Sequence, residues 1–199
     1  MKAVVIGGGL AGCEAAWALA RAGVAVELYE MKPHTYSPAH HHAGLAELVC
    51  SNSLKASRLA SAGGLLKYEM ELQGSLLVRC AKACAVAAGG ALAVDRTQFS
   101  EMVTQEIENE PLITVIREEL DTLPERNAVI ATGPLTSDKM ASAIEKRCGE
   151  RLSFFDAAAP VVAADSLDMN KVFLQSRYDR GDADYLNCSM NKEEYEAFW

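Results

Sequence analysis

The feature that most constrains the fold is a run of glycines directly after a short apolar segment. Lys2–Ile6 is apolar enough to form a buried strand, and a G-x-G-x-x-G turn follows it at once. The turn consists of Gly7, Gly8, Gly9, Leu10, Ala11 and Gly12. Gly12–Ala22 is rich in alanine and precedes Gly23, as a glycine-ended helix would, and Ala25–Glu30 alternates like a second strand. The sequence therefore predicts a parallel βαβ unit with a right-handed crossover.

This arrangement of glycines suits a dinucleotide cofactor. The first glycine permits a tight turn, the second lets a pyrophosphate approach the backbone, and the third lets helix and strand pack closely. The N-terminus of the helix then faces the phosphates. Glu30 lies 18 residues after Gly12, at the end of the second strand, where it would accept hydrogen bonds from a ribose hydroxyl. A glycine turn without a ligand is the weaker interpretation, because the strand–turn–helix–strand context is complete.

The glycine motif does not separate FAD from NAD, but later residues favour FAD. Lys32 closely follows Glu30, and Ala131-Thr132-Gly133 ends a late strand, like the A-T-G turn that flavoproteins of the glutathione-reductase type place near the cofactor. Asp95-Arg96 also resembles a segment of those enzymes, although the pair fits a helix N-cap and its neighbour equally well. The predicted fold is α/β, a Rossmann-type FAD-binding domain with a parallel sheet flanked by helices.

Further elements follow along the chain. Residues 32–49, with two prolines and four histidines, predict a functional loop. Three- and four-residue spacing predicts a helical stretch whose face carries Leu66, Met70, Gln73, Leu77, Cys80 and Cys84. We also expect strands at Ala91–Val94, Ile113–Ile116 and Ala128–Ala131, a helix marked by Phe99, Val103 and Ile107, and a C-terminal segment that resembles the middle of a helix. The sequence changes character near residue 150, from Phe154 onwards, so we expect the N-terminal, incomplete part of a FAD-binding domain over 1–150 and the beginning of an inserted substrate domain over 151–199.

Composition bounds the possible partners. The sequence lacks a run of about 18 apolar residues, so we expect a cytoplasmic protein without a membrane span. The formal charge of −8 argues against nucleic-acid binding by bulk electrostatics, although a local basic patch could still hold RNA. The side chains of His40, His41 and His42 point in different directions and lack a completing ligand set, so a metal site is not expected. Oligomeric state is not indicated.

Cys50 is the candidate nucleophile among six cysteines that we expect to be reduced. It precedes a run of N-cap residues that predicts a helix, whose positive end, with Lys55, would favour the thiolate. The alternative is a small buried hydrophobic residue. Cys13, Cys80 and Cys84 are expected to pack in the core.

Several strings carry a family resemblance. They are VIGGGLAGCEAAWALARAGVAVELYEMKP, SPAHH, ELVCSNSLKA, GGLLKYEM, AGGALAVDR, VIATGPLTS, FFDAAAPVV and DYLNC. Together they resemble TrmFO, the bacterial tRNA (uracil-5-)-methyltransferase family that uses methylenetetrahydrofolate and FAD. The related GidA/MnmG wobble-uridine family shares the Rossmann start, but it typically has histidine where this chain has Leu10.

The resemblance implies an activity that spacing alone does not. In that family 5,10-methylenetetrahydrofolate donates a one-carbon unit to C5 of a T-loop uridine in tRNA, with flavin as reductant and proposed carrier, and NAD(P)H reduces the flavin. Cys50 matches the motif cysteine, which acts either on the base or on the flavin intermediate. Because members are about twice as long and have a further functional cysteine, the resemblance implies a fragment. An inactive dinucleotide-binding module is a further alternative.

Overall fold

The computed structural model describes residues 2–125, 127–149, 162–176 and 182–199. The strands are β1 (Lys2–Ile6), β2 (Ala25–Tyr29), β3 (Ser53–Ala56), β4 (Ala85–Val86), β5 (Ala91–Val94), β6 (Ile113–Ile116), β7 (Ala128–Ile130), β8 (Val172–Leu174) and β9 (Leu186–Cys188). The helices are α1 (Leu10–Arg21), α2 (Ala62–Leu72), α3 (Leu76–Ala83), α4 (Arg96–Asn109), α5 (Asp138–Cys148) and α6 (Lys192–Phe198), with a 3₁₀ turn at Ala164–Ser166.

A parallel sheet carries the N-terminal half of the chain. Its strand order is β6-β2-β1-β7, and every neighbouring pair is parallel. The chain leaves β1 through α1 to reach β2 on one side, whereas β7 joins β1 on the other side. The strand order therefore reverses at β1, which is where open α/β sheets bind ligands. The α/β class and the parallel βαβ unit are confirmed.

The main core lies between this sheet and α1, α3 and α4. Cys13 and Ala16 of α1 are fully buried, and their small side chains let the helix approach the sheet closely. Phe99, Val103 and Ile107 form the buried face of α4, as their spacing predicts. The core packing expected for the three helix cysteines is also confirmed, since Cys13, Cys80 and Cys84 are all buried.

A small antiparallel sheet of order β3-β5-β4 contradicts one prediction. The segment after Cys50 was predicted to cap and begin a helix, but it forms strand β3. The backbone N–H of Val94 donates to Asn52 O, and Ser53 pairs with Ala93. Pairing with a distant strand thus outweighs the local capping preference of these polar residues.

The single helical stretch predicted across residues 66–84 is wrong as well. Gly74 adopts a left-handed φ of +80° after α2, and the Ser75 hydroxyl then accepts a hydrogen bond from Val78 N to begin α3. The break rotates the two halves relative to each other, so Leu66 is 57% exposed whereas Leu77 is buried. Glycine in this conformation commonly ends a helix.

The C-terminal part contains the β8–β9 hairpin and α6. Asn191 and Glu194 form a reciprocal capping box, so α6 begins at Lys192 and the final residues belong to the first turns of this helix rather than to its middle. The predicted boundary near residue 150 adjoins residues 150–161, which lie outside the described residues. Among the described residues, helices that could cross a membrane are absent.

Candidate functional site

The glycine turn leaves β1 at the point where the sheet order reverses. Gly7 has a φ of +100°, and a Cβ there would lie 2.6 Å from the Ala131 carbonyl oxygen. A Cβ on Gly12 would overlap the Gly7 carbonyl oxygen. These two positions therefore require glycine so that the turn, α1 and the end of β7 can pack together.

Gly9 differs from its neighbours because it faces open space. A Cβ at this position would meet no atom within 4 Å. Gly9 is also the N-cap of α1, and it provides no side-chain cap for the amides of the first helical turn. Those amides and the positive end of the helix dipole therefore face an accessible space, which is the arrangement that binds phosphate groups.

A cleft of about 320 Å³ opens in front of this turn. It lies at the carboxyl ends of β1, β2 and β7. Its lining includes Gly7, Gly9, Leu10, Ala11, Tyr29, Glu30, Lys32, His40, Glu47, Val49, Ala131, Thr132, Gly133 and Met140. The structure thus brings together most of the residues predicted to bind the cofactor, from three separate stretches of sequence. Gly8 and Gly12 lie beneath this surface and pack against the protein.

Glu30 joins the glycine turn to the loop that follows β2. The side chain is 6% exposed, and its Oε2 accepts a hydrogen bond from Gly8 N at 2.7 Å. Its Oε1 accepts another from Lys32 N at 3.0 Å. Because an ionised carboxylate offers about four lone-pair sites, acceptor capacity remains for a ribose hydroxyl in the cleft.

Lys32 and Glu47 form a pair, here called the loop clamp, that fixes residues 31–52. The Lys32 ammonium is almost fully buried and donates to Gly44 O at 2.7 Å and to Glu47 Oε2 at 3.2 Å. Lys32 therefore lines the cleft as predicted, but its charge is used within the loop. Sequence reasoning missed Glu47, since its partners lie at irregular intervals in a segment without periodicity.

The second oxygen of Glu47 completes the clamp. Its Oε1 accepts hydrogen bonds from the backbone N–H groups of His41 and His42, at 2.8 and 3.1 Å. Burial raises the pKa of Glu47, but the hydrogen bonds from His41 N and Lys32 lower it by a larger amount. The pKa of Glu47 therefore lies below its usual value. Burial, followed by the charge of Lys32, lowers the pKa of His40, the only one of the three consecutive histidines in the cleft lining.

The same loop is anchored directly to the glycine turn. Ala46, with a left-handed φ of 51°, donates its N–H to Gly8 O at 2.8 Å. Leu45 is fully buried, its N–H donates to Thr104 Oγ1, and its carbonyl accepts from Ser100 Oγ at 2.6 Å. Residues 31–52 thus contain no helix or strand, yet α4 and the turn fix their path.

Cys50 lies at the rim of the cleft. Its thiol is exposed, and the preceding residue, Val49, contributes to the lining. A strand follows Cys50, so the predicted activation by a helix N-terminus is wrong. Burial raises the pKa of Cys13 to about 12 and that of Cys80 to about 11, which makes both thiols poor nucleophiles at neutral pH.

Arg96 lies apart from the cleft lining. It is the first residue of α4, and the preceding Asp95 accepts a hydrogen bond from Gln98 N at 2.9 Å. The N-cap interpretation of Asp95 is confirmed. Val94 N donates to Asn52 O, so the end of β5 lies beside the start of β3. Arg96, two residues after Val94, is therefore at the same end of the β3–β5 pair as Cys50. Within the described ranges, groups of three or more His, Cys, Asp or Glu side chains that could hold a metal ion are absent.

Comparisons with known proteins agree with this geometry. The family model described as "Glucose inhibited division protein A" matches residues 2–199. Proteins named methylenetetrahydrofolate–tRNA-(uracil-5-)-methyltransferase TrmFO from Acetivibrio thermocellus and Geobacter sulfurreducens are 57% and 59% identical. Each match covers 98% of this chain and 45% of the relative, so the chain spans less than half of the relatives' length.

A solved structure supports the fold independently. The structure of Aquifex aeolicus GidA aligns with a TM-score of 0.50 at 20% identity, covering 63% of this chain and 21% of that one. At that identity the likeness establishes the fold alone. The resemblance to TrmFO noted from the sequence is confirmed by the identities above.

Proposed function

The chain belongs to the glucose inhibited division protein A family, and from this premise we propose that it forms the FAD-binding part of a folate-dependent tRNA (uracil-5-)-methyltransferase. The relatives' name supplies the folate donor, the tRNA acceptor and the uracil target. Because the chain spans 45% of those relatives, the complete activity belongs to this proposal. Both substrates are cytoplasmic compounds in bacteria, which supports a cytoplasmic location.

The opening in front of Gly9 is the observation that carries the proposal. The amides of the first turn of α1 would hold the FAD diphosphate, and Glu30 would accept hydrogen bonds from a ribose hydroxyl. The turn at Ala131, Thr132 and Gly133, which packs directly beside the glycine turn, would also lie against the cofactor. The residues present therefore fit a diphosphate group at the turn, since a Cβ on Gly9 would meet no atom within 4 Å.

Bound FAD, reduced by NAD(P)H, would supply the reducing equivalents that convert the folate methylene group into a methyl group. Cys50 would act on the base. C5 of uracil is a poor nucleophile until a thiolate adds at C6 and pushes electron density towards C5. A thiol that is exposed at the rim, rather than enclosed in the cleft, can be approached by a base from a macromolecule. Glu47 and Lys32 would hold the path of the loop that leads to it.

A chimera tests this function. Residues 1–199 replace the matching part of the Geobacter sulfurreducens relative, and the purified chimera is supplied with tRNA, NADPH and isotopically labelled methylenetetrahydrofolate. We expect label in a T-loop 5-methyluridine. Cys50→Ala should abolish turnover and keep bound flavin, whereas Cys148→Ala, at another exposed cysteine, should keep both. Methyl transfer from S-adenosylmethionine, or modification of the wobble base, would contradict the proposal.

The domain division is a further part of the proposal. We place a FAD-binding domain at residues 1–150 and the beginning of a substrate domain at 151–199. The β8–β9 hairpin forms its own two-stranded sheet, separate from the parallel sheet, which supports this division. Residues 1–150 expressed alone should unfold cooperatively in urea with a folded α/β circular dichroism spectrum. Absence of a cooperative transition would contradict the boundary.

A further inference from the structure

The segment that follows Cys50 has a charge pattern opposite to that of the whole chain. The chain has a formal charge of −8, yet residues 48–68 contain Lys55, Arg58 and Lys67 and no aspartate or glutamate. This segment runs from Cys50 through β3 and into α2. A polyanion that reached Cys50 would therefore meet the least acidic part of this surface first.

Two of these cations lie along a strip formed by β3 and the β4–β5 turn. Ser57 N donates to Gly90 O, and a Cβ on Gly90 would lie 3.4 Å from Arg58 Nε, so Arg58 covers the β4–β5 turn. A Cβ on Gly63 would lie 3.8 Å from Lys67 Nζ and 3.9 Å from the carbonyl oxygen of Ala56, which places Lys67 beside the end of β3.

Arg96 extends the strip to the Cys50 end of β3. It follows Asp95, the residue after the end of β5, and β5 pairs with β3 in antiparallel register from Ala91 to Ala93. Lys55 lies within β3, the strand that leads away from Cys50, and Arg58, Lys67 and Arg96 lie beside its two ends; we call these four cations the β3 track. At about 3.3 Å per residue, a four-residue strand and its flanks give the track a length of roughly 20 Å.

The charges of the track are available for a ligand. Within residues 2–125, 127–149, 162–176 and 182–199, none of the four side chains forms an ion pair. Two nearby carboxylates already accept backbone hydrogen bonds: Asp95 from Gln98 N and Asp184 from Gly89 N. By contrast, Arg79 and Lys82 on α3 pair with Glu106 and Glu71. Desolvation by burial lowers the pKa of Lys67, so a neighbouring anion would stabilise the charged form of its ammonium group.

The track also borders groups that suit RNA. Tyr68 is 46% exposed directly after Lys67, and an exposed aromatic ring can stack on an unpaired base. Arg58 lies at the β4–β5 turn, where its guanidinium can contact a phosphate, whereas the Ser57 hydroxyl already donates to Gly90 O. Positive charge beside an exposed aromatic ring is typical of a surface that follows a nucleic-acid backbone.

We propose that the β3 track holds the phosphate backbone of tRNA on the way to Cys50. This inference rests on the proposed function, since it assigns the surface on which that substrate lies. It predicts that tRNA binding depends on these cations, while FAD binding depends on the glycine turn. The two can therefore be separated by substitution.

The test compares two triple variants with equal changes of charge. The first is Lys55→Gln, Arg58→Gln and Lys67→Gln, on the track. The matched control is Lys139→Gln, Lys146→Gln and Arg147→Gln, on α5. Fluorescence anisotropy of labelled, unmodified tRNA is measured with the 199-residue chain and both variants over a series of salt concentrations, and FAD binding and circular dichroism are recorded for each.

We expect the track variant to bind tRNA about 100-fold more weakly at about 0.1 M salt and to reduce the salt slope by about 2 to 3, because each lost phosphate contact removes about 0.7–0.9. The α5 variant should change the affinity less than about 3-fold, and both should keep FAD binding. Equal losses in the two variants, or a chain that binds no tRNA, would overturn the track proposal. If the unsubstituted chain does not bind FAD, that result would instead contradict the proposed function.

Discussion

Around the glycine turn, local sterics decide the structure, whereas around Cys50 the backbone takes its conformation from strand β5 far along the chain. At Gly7 and Gly12 neighbouring protein atoms fill the space that a Cβ would occupy. At Gly9 that space is open. Cys50 instead lies between a clamped loop and a strand whose register depends on Ala91 and Ala93. The comparison indicates that the conformation of the cofactor-binding turn depends on the local sequence, whereas the position of the Cys50 thiol depends on tertiary contacts.

The largest effect expected from this comparison is on folding. Gly12→Val would force a side chain into the Gly7 carbonyl, between α1 and β1, so the variant should lose more than about 4 kcal/mol of unfolding free energy or fail to fold. Cys50→Ser should leave the unfolding free energy within about 0.5 kcal/mol, since the thiol is exposed. Urea denaturation followed by circular dichroism measures both. Similar unfolding free energies in the two variants would contradict the proposed difference between the glycine turn and the surroundings of Cys50.

A smaller effect is expected when the loop clamp is broken. Glu47→Gln leaves the buried Lys32 ammonium with Gly44 O but without a charged partner, which should cost about 1–3 kcal/mol at pH 7. Because the folded-state pKa of Glu47 is lowered, its contribution is complete above the unfolded-state pKa and is lost as the pH falls through the folded-state pKa.

The difference between wild type and Glu47→Gln should therefore shrink as the pH falls from 7 towards 3. Urea denaturation at a series of pH values measures it. Glu118→Gln is the matched control, since Glu118 also lines the cleft. A difference that stays constant with pH would show that the charge of Glu47 does not hold the loop.

The smallest predicted effect is a difference in thiol labelling at fixed stability. Cys50, Cys148 and Cys188 are exposed, so a disulfide reagent at pH 8 should modify them within minutes. Cys13, Cys80 and Cys84 are buried, and burial raises the pKa of each, so they should react only on unfolding. Peptide mass spectrometry assigns the labelled sites. Rapid modification of Cys13 in folded protein would contradict the packing of α1 against the turn.

The sequence predicted the elements whose signals are local. β1, α1 and β2 appear within two residues of their expected limits, because apolar runs and glycines mark their ends. α4 follows from the spacing of Phe99, Val103 and Ile107, with Asp95 as its cap. Most of the residues predicted to bind the cofactor also line one cleft, whereas Gly8 and Gly12 lie beneath its surface and Arg96 lies apart from it.

The remaining features depend on contacts that no local pattern marks. Ser53 and its neighbours have the composition of a helix cap, yet they pair with β5. The apolar spacing across residues 66–84 continues through Gly74, whose left-handed conformation breaks the helix. Glu47 and Lys32 lie 15 positions apart in an irregular loop, so only the folded backbone shows that they form a pair.

The most direct test of the central claim is a titration of the 199-residue chain with FAD, alongside Gly9→Val. A Cβ at position 9 would meet no protein atom within 4 Å, so the variant should fold with an unchanged circular dichroism spectrum. We predict one FAD bound per chain in the wild type, and at least about 100-fold weaker binding in the variant, because the side chain occupies the space of the diphosphate. A wild-type chain that binds no FAD, or a variant that binds it equally well, would contradict the account.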